Sequence, residues 1–132
     1  MTEMRIGDKA QYTRKITKEA IELFVEISGD MNPVHRDDEY ASQTAFNGRI
    51  APGILISGLI SAVLANQLPG PGSIYLSQLL KFVKPVRVND FITAEVEIIE
   101  IDEMRKRVRL NTRCFNQNGQ NVIVGEAVVL SP

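Results

Sequence analysis

Apolar residues recur along this chain in two rhythms, helical before Gly72 and alternating after it. Lys9 to Arg14 is predicted as a short strand. Thr17 then caps a helix that carries Ala20, Ile21, Leu23, Phe24 and Ile27 on one apolar face and stops near Ser28-Gly29. From Met31 to Arg36 the expectation is an ordered turn, because Pro33 fixes its own φ and pushes Asn32 out of the helical region. Asp37, Asp38 and Glu39 supply N-terminal negative charge for a short helix through Tyr40 and Ala41, and a loop containing Asn47 and Gly48 follows.

Ile54 to Leu68 contains no charged residue and has apolar residues on nearly every face, so it reads as a central helix surrounded by protein. Gly58, Ser61, Ala62 and Ala65 are small enough to let a sheet, a second helix or a ligand come close. Pro69-Gly70-Pro71-Gly72 ends the helix. Ser73 to Val83, Phe91 to Ile101, Arg105 to Phe115 and Val122 to Leu130 are β-branched or alternating runs. They are separated by turn signals at Val88-Asn89-Asp90, Asp102-Glu103 and Asn118-Gly119, the last being the strongest hairpin signal. A late antiparallel sheet covered by one charge-free helix gives an α+β domain in which the sheet wraps the helix, the arrangement called a hot-dog fold. No linker, repeat or low-complexity tract divides residues 1–132, so one domain is expected.

Composition narrows the partners. With 132 residues, one domain buries roughly two thirds of its unfolded surface and needs no staple. Fifteen Lys plus Arg nearly balance 16 Asp plus Glu, which argues against a nucleic-acid surface and for a small-molecule partner. Cys114 is the only cysteine and His35 the only histidine, so neither an internal disulfide nor a Cys/His zinc site is expected. The N-terminal stretch lacks the apolar core of a signal peptide. No later segment has the roughly 18 apolar residues of a membrane span, so a soluble cytoplasmic protein without a membrane partner is the expectation.

The candidate chemistry lies in two short runs. Ile27-Ser28-Gly29-Asp30-Met31-Asn32-Pro33-Val34-His35 places a carboxylate and the only imidazole five residues apart on one rigid segment, where both can handle the same water molecule. Gly48-Arg49-Ile50-Ala51-Pro52-Gly53 leads into the central helix. Taken singly, Asp30 and Asn32 are also good turn formers and His35 a common structural histidine. Cys114 is expected as an inert core or sheet residue, and Tyr75, Phe82 and the neighbouring apolar residues as core, with pocket lining left open for some of them. For Lys81, Lys84 and Arg87 a solvated sheet face is favoured over contact with phosphates.

Ser28-Gly29-Asp30-Met31-Asn32-Pro33-Val34-His35, followed by Asp37, Tyr40-Ala41, Phe46, Gly48 and Ile50, resembles the hydratase signature of the MaoC-like enzymes, the (R)-specific enoyl-CoA hydratases. Gln67-Leu68-Pro69-Gly70, Gly72-Ser73-Ile74-Tyr75-Leu76 and Gly125-Glu126-Ala127-Val128-Val129 are similar to the short-chain members linked to polyhydroxyalkanoate supply. The resemblance implies reversible addition of water to a trans-2-enoyl-CoA, giving an (R)-3-hydroxyacyl-CoA, with no cofactor beyond the coenzyme A of the substrate. It implies Asp30 and His35 as the catalytic pair, the Gly53 N–H as a donor to the thioester oxygen, Asn32 as the residue holding the turn or the imidazole, and Ser61 near the pair. It also implies a homodimer with the active site between subunits, higher assemblies being left open.

One position departs from the pattern: many members carry histidine before the glycine that starts the central helix, and Pro52 stands there in this chain. Proline suits a helix's first turn, so the Gly53 amide can still be presented. Three other readings stay open: a hot-dog thioesterase, an acyl-carrier-protein dehydratase, and a non-catalytic acyl-CoA binding module.

Overall fold

A computed structural model describes residues 3–132, so the first two residues of the N-terminal stretch lie outside the described residues. The chain runs β1 (Lys9–Lys15), α1 (Lys18–Ser28), α2 (Pro33–Arg36), α3 (Asp38–Ser42), α4 (Gly53–Asn66), β2 (Ile74–Phe82), β3 (Phe91–Asp102), β4 (Arg107–Phe115) and β5 (Asn121–Leu130). The strands form one antiparallel sheet in the order β1-β3-β4-β5-β2. With α4 packed on it, this is the hot-dog arrangement of the α+β class.

Alternation puts the core on one face of the sheet. Ile92, Ala94, Val96 and Ile98 of β3 point inward at every second position and meet Ile56, Ile60 and Val63 of α4. Fully burying one such aliphatic side chain stabilises the fold by about 1.5–3 kcal/mol, which makes this layer the main source of stability. Cys114 also lies in this core, as expected, and burial pushes its thiol up to about 12.

Several boundaries and faces differ from the sequence reading. The start of β4 moves from Arg105 to Arg107 because the preceding turn runs through Lys106, whose φ is +55°, and is closed by Arg105 N–H donating to Asp102 Oδ1 at 3.1 Å. In α1 the buried residues are Ile21 and Val25, one turn apart; Leu23 and Ile27 fall on the far side of the helix and are exposed. The segment expected as a turn closes into the four-residue helix α2, with Pro33 in its first turn and the Asn32 side chain accepting from Val34 N–H at 3.2 Å.

Burial of α4 is one-sided within the chain. Ile56, Leu59, Ile60, Val63 and Leu64 are covered, whereas Ile54, Gly58, Ser61 and Ala65 are exposed. Strand β2 at the sheet edge behaves alike: Ile74, Tyr75, Leu76, Leu79 and Phe82 are exposed, so the expectation that Tyr75 and Phe82 belong to the core is not met. As the last strand in the order, β2 has a ladder partner on one side only.

Candidate active site

Gly29 ends α1 in the left-handed region at φ +77°, donating its N–H to Val25 C=O at 2.9 Å, and so turns the chain toward Asp30. The Asp30 N–H donates to Ser28 Oγ at 3.0 Å, and the Asp30 carboxylate accepts from Asn32 N–H through Oδ1 at 3.1 Å. That bond leaves Oδ2 facing the imidazole of His35, with 3.8 Å between Oδ2 and Nε2. His35 is buried, and its Nδ1 lies 2.7 Å from Ile50 C=O. A carbonyl can only accept, so Nδ1 carries a hydrogen and Nε2 is the nitrogen presented to Asp30.

The separation of 3.8 Å is too long for a direct hydrogen bond and suits two groups that share a water molecule. Asp30 and His35, five residues apart in sequence, are thus brought side by side.

The Ile50 carbonyl is itself fixed. Ile50 N–H donates to Val34 C=O at 3.2 Å, Ala51 N–H donates to Val86 C=O at 2.7 Å, and Ile50 bridges to Arg87. These bonds tie the approach to α4 to the chain that follows β2. Gly53, the first residue of α4, lines a cavity of about 410 Å³ together with His35, Ala51, Ile56, Phe82 and Ile123. Pro52 provides no side-chain cap, so the helix N-terminus meets this cavity with its first-turn N–H groups unclaimed by a capping side chain. A side chain at Gly53 would place its Cβ 2.5 Å from the Phe82 ring, so the close approach of that ring requires glycine here.

Asn32 caps α2 and its own carbonyl accepts the His35 N–H at 3.0 Å; it holds the turn, and its side-chain bond goes to the backbone rather than to the imidazole. Ser61 is exposed on α4, eight residues beyond Gly53 or about 12 Å along the axis, and is not among the residues lining the cavity of His35 and Gly53. On the same helix, Ser57 Oγ donates to Ile54 C=O at 2.7 Å. Lys84 lies at the cavity, Lys81 is exposed, and Arg87 donates to Gly48 C=O at 3.4 Å.

Arg49 is a residue that the sequence reading passed over. Its guanidinium is buried, donating from Nε to Asp38 Oδ1 at 2.8 Å and from Nη1 to His35 C=O at 3.2 Å. The hydrogen bond and charge of Arg49 hold the exposed Asp38 carboxyl below the usual carboxylate range. The only signal was a cation between Gly48 and Ile50 in an otherwise uncharged run. Among the described residues no group of His, Cys, Asp and Glu could hold a metal ion, and no helix is long and apolar enough to cross a membrane.

A hot-dog sheet with an acid–imidazole pair beside the central helix defines a class of protein, and the comparisons place the chain within it. The family described as MaoC like domain matches residues 3–117, and the chain belongs to this family. An (R)-specific enoyl-CoA hydratase of Aeromonas caviae is 42% identical over 129 residues, covering 98% of this chain and 96% of the relative. The unliganded R-hydratase PhaJ1 from Pseudomonas aeruginosa superposes with a TM-score of 0.94 at 48% identity, covering 98% of this chain and 83% of that one. The (R)-hydratase from A. caviae involved in PHA biosynthesis superposes with a TM-score of 0.96 at 41% identity, each chain covered completely.

Proposed function

We propose that this chain is an (R)-specific enoyl-CoA hydratase, a hydro-lyase that reversibly converts a trans-2-enoyl-CoA to an (R)-3-hydroxyacyl-CoA. The observation that carries the reading is the Asp30–His35 pair, 3.8 Å apart, each partner held by a backbone group, with the imidazole sharing a cavity with the Gly53 helix start. The similarity to (R)-hydratases along nearly the whole chain supports the same chemistry.

In the forward direction a water molecule lies between Asp30 Oδ2 and His35 Nε2. One of its protons passes to the pair as its oxygen bonds to the β-carbon. The π electrons move toward the α-carbon and the thioester oxygen, where the Gly53 N–H at the positive end of α4 meets the developing charge. The pair then returns a proton to the α-carbon, so one water is consumed and no group is left changed. Coenzyme A enters as part of the substrate, and no metal or redox cofactor is called for. The (R)-3-hydroxyacyl-CoA product is the kind of monomer used in polyhydroxyalkanoate synthesis, and the cytoplasm is the compartment this reading assigns.

The same reading makes the protein a homodimer. The exposed apolar side chains of β2 and of the outer face of α4 form a surface suited to a second copy, which would add its own edge strand and bring cover to Ser61. Sedimentation should give twice the chain mass; an active monomer would overturn the assembly.

The function is tested by following the enoyl-thioester absorbance of crotonyl-CoA together with free-thiol release from crotonyl-CoA and butyryl-CoA. Loss of absorbance without thiol is the expected result. Thiol release would make the protein a thioesterase, and a reaction confined to carrier-protein thioesters would make it a carrier-protein dehydratase.

A further inference from the structure

We propose that Arg49 is a positioning residue that sets the orientation of His35 from outside the substrate cavity. The inference rests on the hydratase reading for its kinetic consequence but not for its structural one. Helix α2 has only four residues, and its C-terminal carbonyls need partners from elsewhere. Residues 49 and 50 supply them: Ile50 N–H donates to Val34 C=O at 3.2 Å, and Arg49 Nη1 donates to His35 C=O at 3.2 Å. Ile50 C=O then accepts from His35 Nδ1 at 2.7 Å. Two adjacent residues thus hold the main chain of His35, the residue before it, and its ring.

Arginine suits this place for a geometric reason. Its planar fork reaches a carboxylate on α3 through Nε and a carbonyl on α2 through Nη1 at the same time, whereas a lysine ammonium on a flexible stem acts as a point charge. The guanidinium is buried at a second cleft, which His35 also lines together with Ile21, Glu22, Val25, Glu26 and Met31, and Arg49 does not line the cavity that contains Gly53. Arg49 therefore acts on the imidazole through the backbone, and Asp38 steadies Arg49 in turn. With Arg49 removed, His35 C=O loses its donor and the ring loses its fixed distance to Asp30.

His35 is the only histidine, so ring-nitrogen NMR of the histidine-labelled full chain reads this residue alone. Wild type should show the single Nδ1–H tautomer. Arg49→Met should show an averaged or altered tautomer signature. For the same variant kcat on crotonyl-CoA should fall about tenfold to a hundredfold, as expected for a displaced catalytic group, with KM changed less than about twofold. Arg49→Lys, which keeps the charge and one hydrogen bond, should fall between the two, and Asp38→Asn should lie nearer wild type.

An unchanged His35 spectrum in Arg49→Met, or a change confined to KM, would overturn the proposal. If Arg49→Met does not fold, Arg49→Lys decides by the same two readouts: a wild-type spectrum and kcat overturn it. Absence of turnover in wild type itself would count against the hydratase reading, while the tautomer comparison would still decide the role of Arg49.

Discussion

The segment from Ser28 to Gly53 and the layer formed by the sheet and α4 are held together by different forces. In the first, side chains bond to nearby backbone: Ser28 to Asp30, Asp30 to Asn32, Asn32 to Val34 and Asp37 to Tyr40. In the second, long ladders and fully buried residues such as Ile60, Ile92, Ile98 and Leu110 dominate. A hydrogen bond of the first kind adds about 0.5–1.5 kcal/mol net but fixes direction. Apolar burial stabilises more and fixes little orientation. The difference teaches that activity and stability are separable here, because the groups that aim Asp30 and His35 are not the groups that hold the fold.

The sharpest way to break this comparison is to change the pair. Asp30→Asn and His35→Ala should each lower kcat on crotonyl-CoA by about 10²–10⁴, the range expected for loss of a general acid or base, with thermal midpoints near wild type. Variants that unfold instead would place the pair among the structural groups. The converse change is Ile60→Ala, which empties space under α4 and should cost about 2–5 kcal/mol in chemical unfolding while the folded fraction keeps its kcat.

A position where the two regions touch should respond in both measurements. Gly53→Ala drives a methyl into the Phe82 ring and should destabilise by about 1–3 kcal/mol as well as slow turnover. Adding Phe82→Ala should recover the stability, and failure to do so would mean that the ring is not the obstruction.

The smallest effect is electrostatic. Burial alone would raise the Glu95 carboxyl, but hydrogen bonds from Gln11 and Arg113 outweigh it and hold the group below its ordinary 4.5. A carboxyl lowered in the folded state adds stability above its unfolded value and loses it as the pH falls through the folded one. Glu95→Gln should therefore narrow the difference in urea midpoint between neutral pH and pH below 4.5, with little change in kcat at neutral pH.

The sequence made the pair legible because Asp30 and His35 lie within one turn of chain whose Gly29, Asn32 and Pro33 encode its shape locally. The strands were legible from alternation, and Asn118-Gly119 marked a turn whose φ of +73° at Gly119 requires that residue. Other features depend on what lies across space. Leu23 and Ile27 look like core in sequence, yet Ile21 and Val25 are the residues of α1 that are buried. The same holds for Tyr75 and Phe82, since an edge strand and a central strand share one residue vocabulary. Arg49 was hidden because its partners, His35 C=O and Asp38, are a backbone atom and a surface carboxylate with no spacing rule to connect them.

The most direct measurement of the central claim is hydration of crotonyl-CoA by wild type and Asp30→Asn side by side, with chiral analysis of the product. Rapid loss of the enoyl thioester in wild type, an (R)-3-hydroxybutyryl-CoA product and collapse of the rate in a folded variant are the results expected. An (S) product, or a variant as fast as wild type, would contradict the assignment of water activation to Asp30 and His35.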